Sequence, residues 1–282
     1  GSETRSLRVF HHYDAEHGER EHLLSLDGKP FEMIQDAKGC TCVWPQSRYV
    51  VVRQSPAFTG RLSTERFADT DLLSAFYTIT RQNHARVGGM SCRMVRLEPK
   101  DAYRFGYRLC MHESSAMLLN LEVFDGERRL ELTQFTQLRV QRAGEMDDMR
   151  LLTQIEDYRV IEDKPSVSGE KNRESMKIRW ETTQLPDGYR QHSTDMRTHP
   201  HTKKTLEHLI FSDGLSSVSV FIERTDEAGQ TSTQEPSKHT PSGVMHRVVR
   251  DVDGYRLTAI GDAPEIAMRM ILEGMRQIAE RP

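Results

Sequence analysis

No run of about 18 apolar residues occurs in this chain, so it contains no sequence able to cross a membrane as a helix. The familiar catalytic signatures are also missing. There is no G-x-S-x-G, no phosphate-cradling G-x-x-x-x-G-K-[ST], no G-x-G-x-x-G and no H-E-x-x-H. Net charge is −3 over 282 residues, which gives no electrostatic footprint for nucleic acid. No basic-then-apolar leader opens the sequence, which leaves the compartment undecided. Cysteine is scarce: Cys40, Cys42, Cys92 and Cys110 are too few for a disulfide framework, and no C-x-x-C occurs. Cys40 and Cys42 form C-x-C, which places both side chains on one face of an extended strand. A metal or redox role there needs further ligands.

The remaining candidates for chemistry have plainer readings. Asp251-Val252-Asp253-Gly254 could open a calcium loop, but Tyr255-Arg256-Leu257 stand where ligands should follow, and a hairpin turn fits better. Of the twelve histidines, His11, His12, His17 and His22 cluster near the start. On a strand His11 and His12 point to opposite faces. His199-Pro200-His201 reads as a loop. The sequence thus carries no catalytic, cofactor or metal assignment, which shifts weight from an enzyme toward a binding module.

What is there is mostly strand. Hydrophobic residues make up 36% and charged residues 29%, a polar balance still compatible with a sizeable core. Period-2 alternation predicts strands at 7–13, 20–26, 48–53, 92–97, 103–111, 117–124 and 130–140. In the clearest of them Tyr103, Phe105, Tyr107, Leu109 and Met111 share one face, with Arg104, Arg108 and His112 opposite. That face is either core or the lining of a barrel lumen that holds an acyl chain. Asp27-Gly28 and Asp125-Gly126 mark hairpins, because Gly accepts positive φ at little cost. The best helix in this half is 70–77.

Residues 141–174 change character, with an acidic cluster at 145–148 and the polar run 164–172. They read as an interdomain connection with a short ordered piece around 151–160. The expected division is 1–140, 141–174 and 175–282. In the last part strands are predicted at 176–180, 206–211, 216–223, 245–251 and 255–260, with hairpins at Asp213-Gly214 and Asp253-Gly254. Residues 225–243 read as a polar loop. A helix closes the chain from Pro264 to about Ala279, with Ile266, Met270, Ile271 and Ile278 on one face.

An ordered set of segments matches the pattern of one protein family. His22 to Pro30 is similar to the family's L-x-x-L-D-G segment, followed by a strand like Glu32-Met33-Ile34. Arg86–Leu97 and Pro99–Tyr107 are similar to its central paired strands, and Phe135-Thr136-Gln137-Leu138 to the end of its first domain. Leu185-Pro186-Asp187-Gly188-Tyr189 resembles its L-P-x-G-[FY], although Gln184 precedes it where an aromatic or charged residue is expected. Phe211-Ser212-Asp213-Gly214-Leu215 with Val218 to Glu223 matches most densely. Ala259 to Pro264 resembles the [VI]-G-[ED]-x-P that leads into the last helix. Relative to the family pattern, the chain starts after the usual first helix and strand.

Taken in this order, these segments resemble the MucB/RseB family of sigma-E regulators, and the resemblance implies a mixed α+β, β-rich fold: a lipoprotein-carrier-like unclosed antiparallel β-barrel domain followed by a smaller α+β domain. It implies a periplasmic regulator of the sigma-E envelope stress response, which includes alginate control in MucB systems. Such a protein binds the periplasmic domain of an RseA/MucA-like anti-sigma factor, protects it from proteolysis and is released by lipopolysaccharide or another lipid. It would be peripheral to the membrane through its partner, with no nucleic-acid ligand, and the resemblance leaves a homodimer open. The alternative is a periplasmic lipid or lipoprotein carrier, for which the second domain has no use.

The anti-sigma contacts are expected at Phe211, Asp213, Gly214, Leu215, Val218, Val220, Phe221 and Ile222, where the resemblance is densest and a strand carries apolar residues on both faces. Lipid contacts are expected at Leu24, Leu26, Tyr103, Phe105, Tyr107 and Leu109. The periplasm is oxidising, and Cys92 and Cys110 lie on strands with a short connection. A disulfide between them therefore stays open, since register is not readable from sequence.

Overall fold

A computed structural model describes residues 4–14, 18–53, 65–140, 150–163, 180–198, 205–225 and 243–278. The first half runs β1 (Leu7–Asp14), β2 (Gly18–Ser25), β3 (Glu32–Asp36), β4 (Gly39–Trp44), β5 (Tyr49–Arg53), α1 (Thr70–Phe76), β6 (Tyr77–Val87), β7 (Met90–Pro99), β8 (Gly106–His112), β9 (Leu118–Asp125) and β10 (Arg128–Gln134). The second half runs β11 (Arg159–Asp163), β12 (Trp180–Thr182), β13 (Arg190–Thr198), β14 (Thr205–Ser212), β15 (Ser217–Arg224), β16 (His246–Val252), β17 (Tyr255–Gly261), α2 (Glu265–Gly274) and β18 (Met275–Gln277).

Compactness divides the chain into two units. One comprises Gly1–Thr59 and Arg139–Pro165, the other Gly60–Leu138 and Ser166–Pro282. This differs from the expected linear division, because the stretch expected as a connection contributes β11 to the first unit. The expected strand at 176–180 is described only at Trp180, and His17, His199, His201 and most of the 225–243 loop lie outside the described residues.

The first unit is one sheet in the order β1-β2-β3-β4-β5-β11. All its pairs are antiparallel except β11 beside β5, which is parallel. Strand alternation separates two faces. One carries a short aromatic ladder, with Trp44 4.6 Å from Tyr49 and 5.2 Å from Phe31 between ring centroids. The other buries His22, Glu32, Val43 and Val50. Glu32 accepts hydrogen bonds from the backbone N–H of Leu152 (2.6 Å) and Thr153 (2.9 Å), and pairs with His22 Nε2 at 2.8 Å. That buried carboxylate ties residues 152–153 to the sheet.

The second unit holds an antiparallel meander, β10-β9-β8-β7-β6, and a second antiparallel sheet, β13-β14-β15-β17-β16. The sheets stay unclosed. Residues of α2 (Ala267, Met268, Ile271 and Leu272) pack on Leu209, Phe211, Val218, Val220, Leu257 and Ala259 of the second sheet. A separate core joins α1, through Leu73, to Tyr77, Leu97, Phe105, Tyr107 and Leu109. The Asp-Gly hairpins form as expected. At Asp253-Gly254 both residues have positive φ (50° and 76°), and Val252 pairs with Tyr255 across a two-residue loop. This is the geometry of the turn that best matches strand twist.

Several expectations are corrected. The strand expected from Tyr103 begins at Gly106, because Asp101 Oδ1 accepts the Tyr103 N–H (2.9 Å) and holds 101–104 in a turn. Arg104 therefore leaves the outer face and is buried. The strand expected to reach Val140 ends at Gln134. The last helix stops at Gly274 rather than near Ala279. A Cβ on Gly274 would lie 2.5 Å from the Gln184 carbonyl oxygen, and the chain then turns to pair β18 with β12. Arg250 Nη1 caps the helix end by donating to the carbonyls of Leu272 (2.5 Å) and Glu273 (3.2 Å). Of the residues expected to share one face, Ile271 is buried, while Ile266 and Ile278 are exposed. The long strand β6 and the edge strand β13 were not expected, since their polar sequences show no apolar alternation.

Candidate functional site

The family-like segments of the second unit converge on one buried polar cluster. Arg104, from the turn before β8, sits at its centre with 1% of its side chain exposed. Its Nε lies 3.1 Å from Asp213 Oδ2, and the Asp213 side chain is equally buried. Arg104 Nη1 pairs with Asp101, and Nη2 donates to the Asp187 carbonyl. Its guanidinium carbon lies 4.0 Å from the Phe76 ring centroid and 5.5 Å from that of Tyr189, both inside cation–π range. Tyr189 Oη in turn donates to the Tyr103 carbonyl at 3.3 Å.

Each motif supplies a part that its residue types allow. Gly188 has φ +84°, and a Cβ there would meet the Phe76 ring at 2.5 Å and the Arg104 guanidinium at 2.6 Å. Only glycine leaves room for both at that backbone angle. Asp213 folds its own turn: Oδ1 accepts the N–H of Leu215 (3.0 Å) and Ser216 (2.7 Å). A side chain at Gly261 would collide with the Ser217 carbonyl, and the neighbouring Asp262 accepts the Ser217 N–H at 2.7 Å. Arg66 closes the group, donating to the Leu215 carbonyl and lying 3.8 Å from Asp262 Oδ2.

Burial pushes the Asp213 carboxyl above its ordinary value, against the Ser216 and Leu215 N–H groups and Arg104, which pull it down. Burial likewise raises the hydroxyls of Tyr77, Tyr107 and Tyr189, so all three stay protonated near neutrality. These groups include no nucleophile paired with a base. The arrangement joins five chain segments: 66–76, 101–104, 187–189, 213–217 and 261–262.

The expected partner residues therefore divide. Phe211, Asp213, Leu215, Val218, Val220 and Ile222 are buried. Phe211, Val218, Val220 and Ile222 are core beneath α2, and Leu215 packs in the core with α1. Gly214 is exposed, and Phe221 is half-buried on the opposite sheet face, its ring stacked 4.4 Å from that of His208. The expected lipid residues divide as well. Phe105, Tyr107 and Leu109 share one core, while Tyr103 packs against the core beneath α2. Leu24 and Leu26 belong to the other compact unit, half-buried and exposed respectively. Sequence reasoning missed Arg104 as a buried group. The available signal was an arginine inside K-D-A-Y-R-F-G-Y, one residue from a buried aromatic.

A disulfide joins Cys92 and Cys110, with Cα atoms 5.5 Å apart, and leaves Cys40 and Cys42 as free thiols. Among the described residues, His11, Glu19 and Glu21 are the one group of three or more His, Cys, Asp or Glu side chains with metal-ligating spacing, and His11 and Glu19 are exposed. His11 Nδ1 lies 3.4 Å from each carboxylate. The hydrogen bond to Glu21 raises its pKa, so the group is accounted for as a surface ion pair.

Comparison with known proteins matches both parts of the chain. The MucB/RseB N-terminal domain family matches residues 1–157, and the MucB/RseB C-terminal domain family matches residues 174–276. The sigma factor AlgU regulatory protein MucB of Pseudomonas aeruginosa is 26% identical over 258 residues, covering 91% of this chain and 76% of that protein. The sigma-E factor regulatory protein RseB of Haemophilus influenzae is 25% identical over 260 residues, covering 90% and 76%. Among solved structures, MucB in complex with the periplasmic part of MucA superposes with a TM-score of 0.67 at 21% identity, covering 98% of this chain and 89% of that one. That likeness shows a shared fold.

Proposed function

The chain belongs to the MucB/RseB family, and on that premise we propose that it is a periplasmic, non-enzymatic regulator of a sigma-E-type stress response. It binds the periplasmic part of an RseA/MucA-like anti-sigma factor, shields that segment from proteolysis and releases it when lipid or lipopolysaccharide binds. The observation that carries this reading is the presence of both family domains, in order, across nearly the whole chain. The regulatory names of the relatives and the solved MucB–MucA complex give it direction.

The geometry supports a specific mode. The sheet β13-β14-β15-β17-β16 has two edge strands, β13 and β16, and strand addition at such an edge supplies backbone hydrogen bonds. The accessible members of the motif-bearing hairpin, Gly214 and Phe221, lie in the same sheet and its turn, and the buried ones hold that surface from below. Lipid lowers anti-sigma affinity only through different affinities for two states of the protein.

A pull-down of the full chain on the immobilised periplasmic segment of a MucA-like protein tests the reading. Retention that falls as lipopolysaccharide is added is the expected result. No retention at any lipid concentration overturns the regulator and leaves the lipid or lipoprotein carrier.

A further inference from the structure

Cys40 and Cys42 take no part in the function proposed above, and the tertiary structure adds the ligand that C-x-C lacked. Both lie on β4, two residues apart, and so on one face of the sheet. Met33 on β3 pairs directly with Cys42 across the antiparallel ladder. Directly opposite residues share a face, with Cβ atoms about 4.5–5.5 Å apart. Three sulfurs thus project from neighbouring positions on the same side. Met33 is 7% exposed and Cys40 4%, while Cys42 is half-buried.

We propose that Cys40, Cys42 and Met33 bind a single soft, thiophilic d10 cation of the Cu(I) class. Two thiolates and a thioether are a soft donor set, which selects Cu(I) over the harder divalent ions. Structural zinc takes four ligands from Cys, His and carboxylate groups. Among the described residues, no His, Asp or Glu joins the two cysteines at ligating distance.

A direct disulfide is a poorer use of the pair. Two residues along a strand span roughly 6.6 Å, at the upper limit of the roughly 4.4–6.8 Å that a disulfide tolerates between Cα atoms. A cation set between the sulfurs closes that gap without bending the strand. The thiolate, not the thiol, is the metal ligand. Binding is therefore an exchange: Cu(I) plus two thiols gives a Cu(I) bis-thiolate and two protons. The cation's +1 on the left equals, on the right, −1 on the site plus two released protons. Arg53, opposite Cys40 on β5, offsets the charge left on the site.

The test is anaerobic titration of the full chain with Cu(I) in competition with bicinchoninate, with proton release followed by a pH indicator. One equivalent bound and two protons released are expected, with the Cys92–Cys110 disulfide intact. Losing a second-shell partner already weakens metal sites about 10–100-fold. Cys40→Ser and Cys42→Ser should therefore each lose at least about a hundredfold, and Met33→Leu about tenfold. Met33→Leu conserves volume and keeps the fold, which circular dichroism verifies. Wild type and the double Cys→Ser variant binding alike would overturn the site. So would Zn(II) binding as tightly as Cu(I), or Met33→Leu binding like wild type.

Discussion

Arg104 and Asp213 form an ion pair 3.1 Å apart with both side chains 1% exposed, and it joins the turn before β8 to the β14–β15 hairpin. Removing Arg104 leaves the buried Asp213 without its counter-ion, and removing Asp213 leaves Arg104 with Asp101 alone; losing one partner of a buried pair costs about 3–5 kcal/mol. Asp213→Ala and Arg104→Ala are each expected to lower stability by about that amount in urea denaturation. The double variant should cost less than the two singles together, since each single already removes the same Arg104–Asp213 interaction. Strict additivity would show that the two side chains do not act as a pair.

Glu32 predicts a response to acid. Burial alone would raise its carboxyl, but hydrogen bonds from Thr153, Leu152 and His22 outweigh burial and bring it below its ordinary value of 4.5. A lowered carboxylate contributes stability that is present above 4.5 and lost as pH falls through the lower folded value. Thermal denaturation of wild type and Glu32→Gln across that window should show a wild-type advantage at neutral pH that shrinks on acidification. Hydrogen exchange at Leu152 and Thr153 should rise with the same midpoint. A difference independent of pH would remove Glu32 from this role.

The cysteines predict a simple count. Thiol titration of denatured, unreduced protein should find Cys40 and Cys42 only, with Cys92 and Cys110 paired. A loop of this length, with partners 18 residues apart, is stabilised by about 3 kcal/mol when closed. Cys92→Ser should therefore lower stability by about that much under oxidising conditions and change little under reducing ones.

Phe105 is fully enclosed in the core with Leu73, Tyr107 and Leu109. Phe105→Ala should cost about 3–5 kcal/mol in chemical denaturation. A markedly smaller loss, together with weaker binding of an acyl-chain probe, would instead mark the place as a ligand cavity.

Phe221 tests the partner surface. It is half-buried against His208, on the sheet face away from α2. Phe221→Asp, if folded by circular dichroism, should abolish retention on an anti-sigma segment, and Ser219→Arg two residues away on the same face should weaken it. Unchanged binding by folded variants would move the contact elsewhere on the protein.

Local order was legible from the residues alone. Strands β1, β2, β5, β7, β9 and β14–β17 fall within a few residues of their expected positions, since period-2 alternation and Asp-Gly turns act over neighbours in sequence. The polar strands β6 and β13 were invisible to it. Strand ladders hold them in place, and the sequence pattern does not record which strand will lie alongside. The direction of Arg104 was lost for the same reason: the carboxylate that draws it inward comes from a distant hairpin. The apolar run 218–222 shows the division most clearly. Alternation identified a strand with two apolar faces, but only the packing of α2 decided that Val218, Val220 and Ile222 are core while Phe221 faces the other way. Backbone periodicity is a property of the chain, whereas burial depends on which other surface arrives.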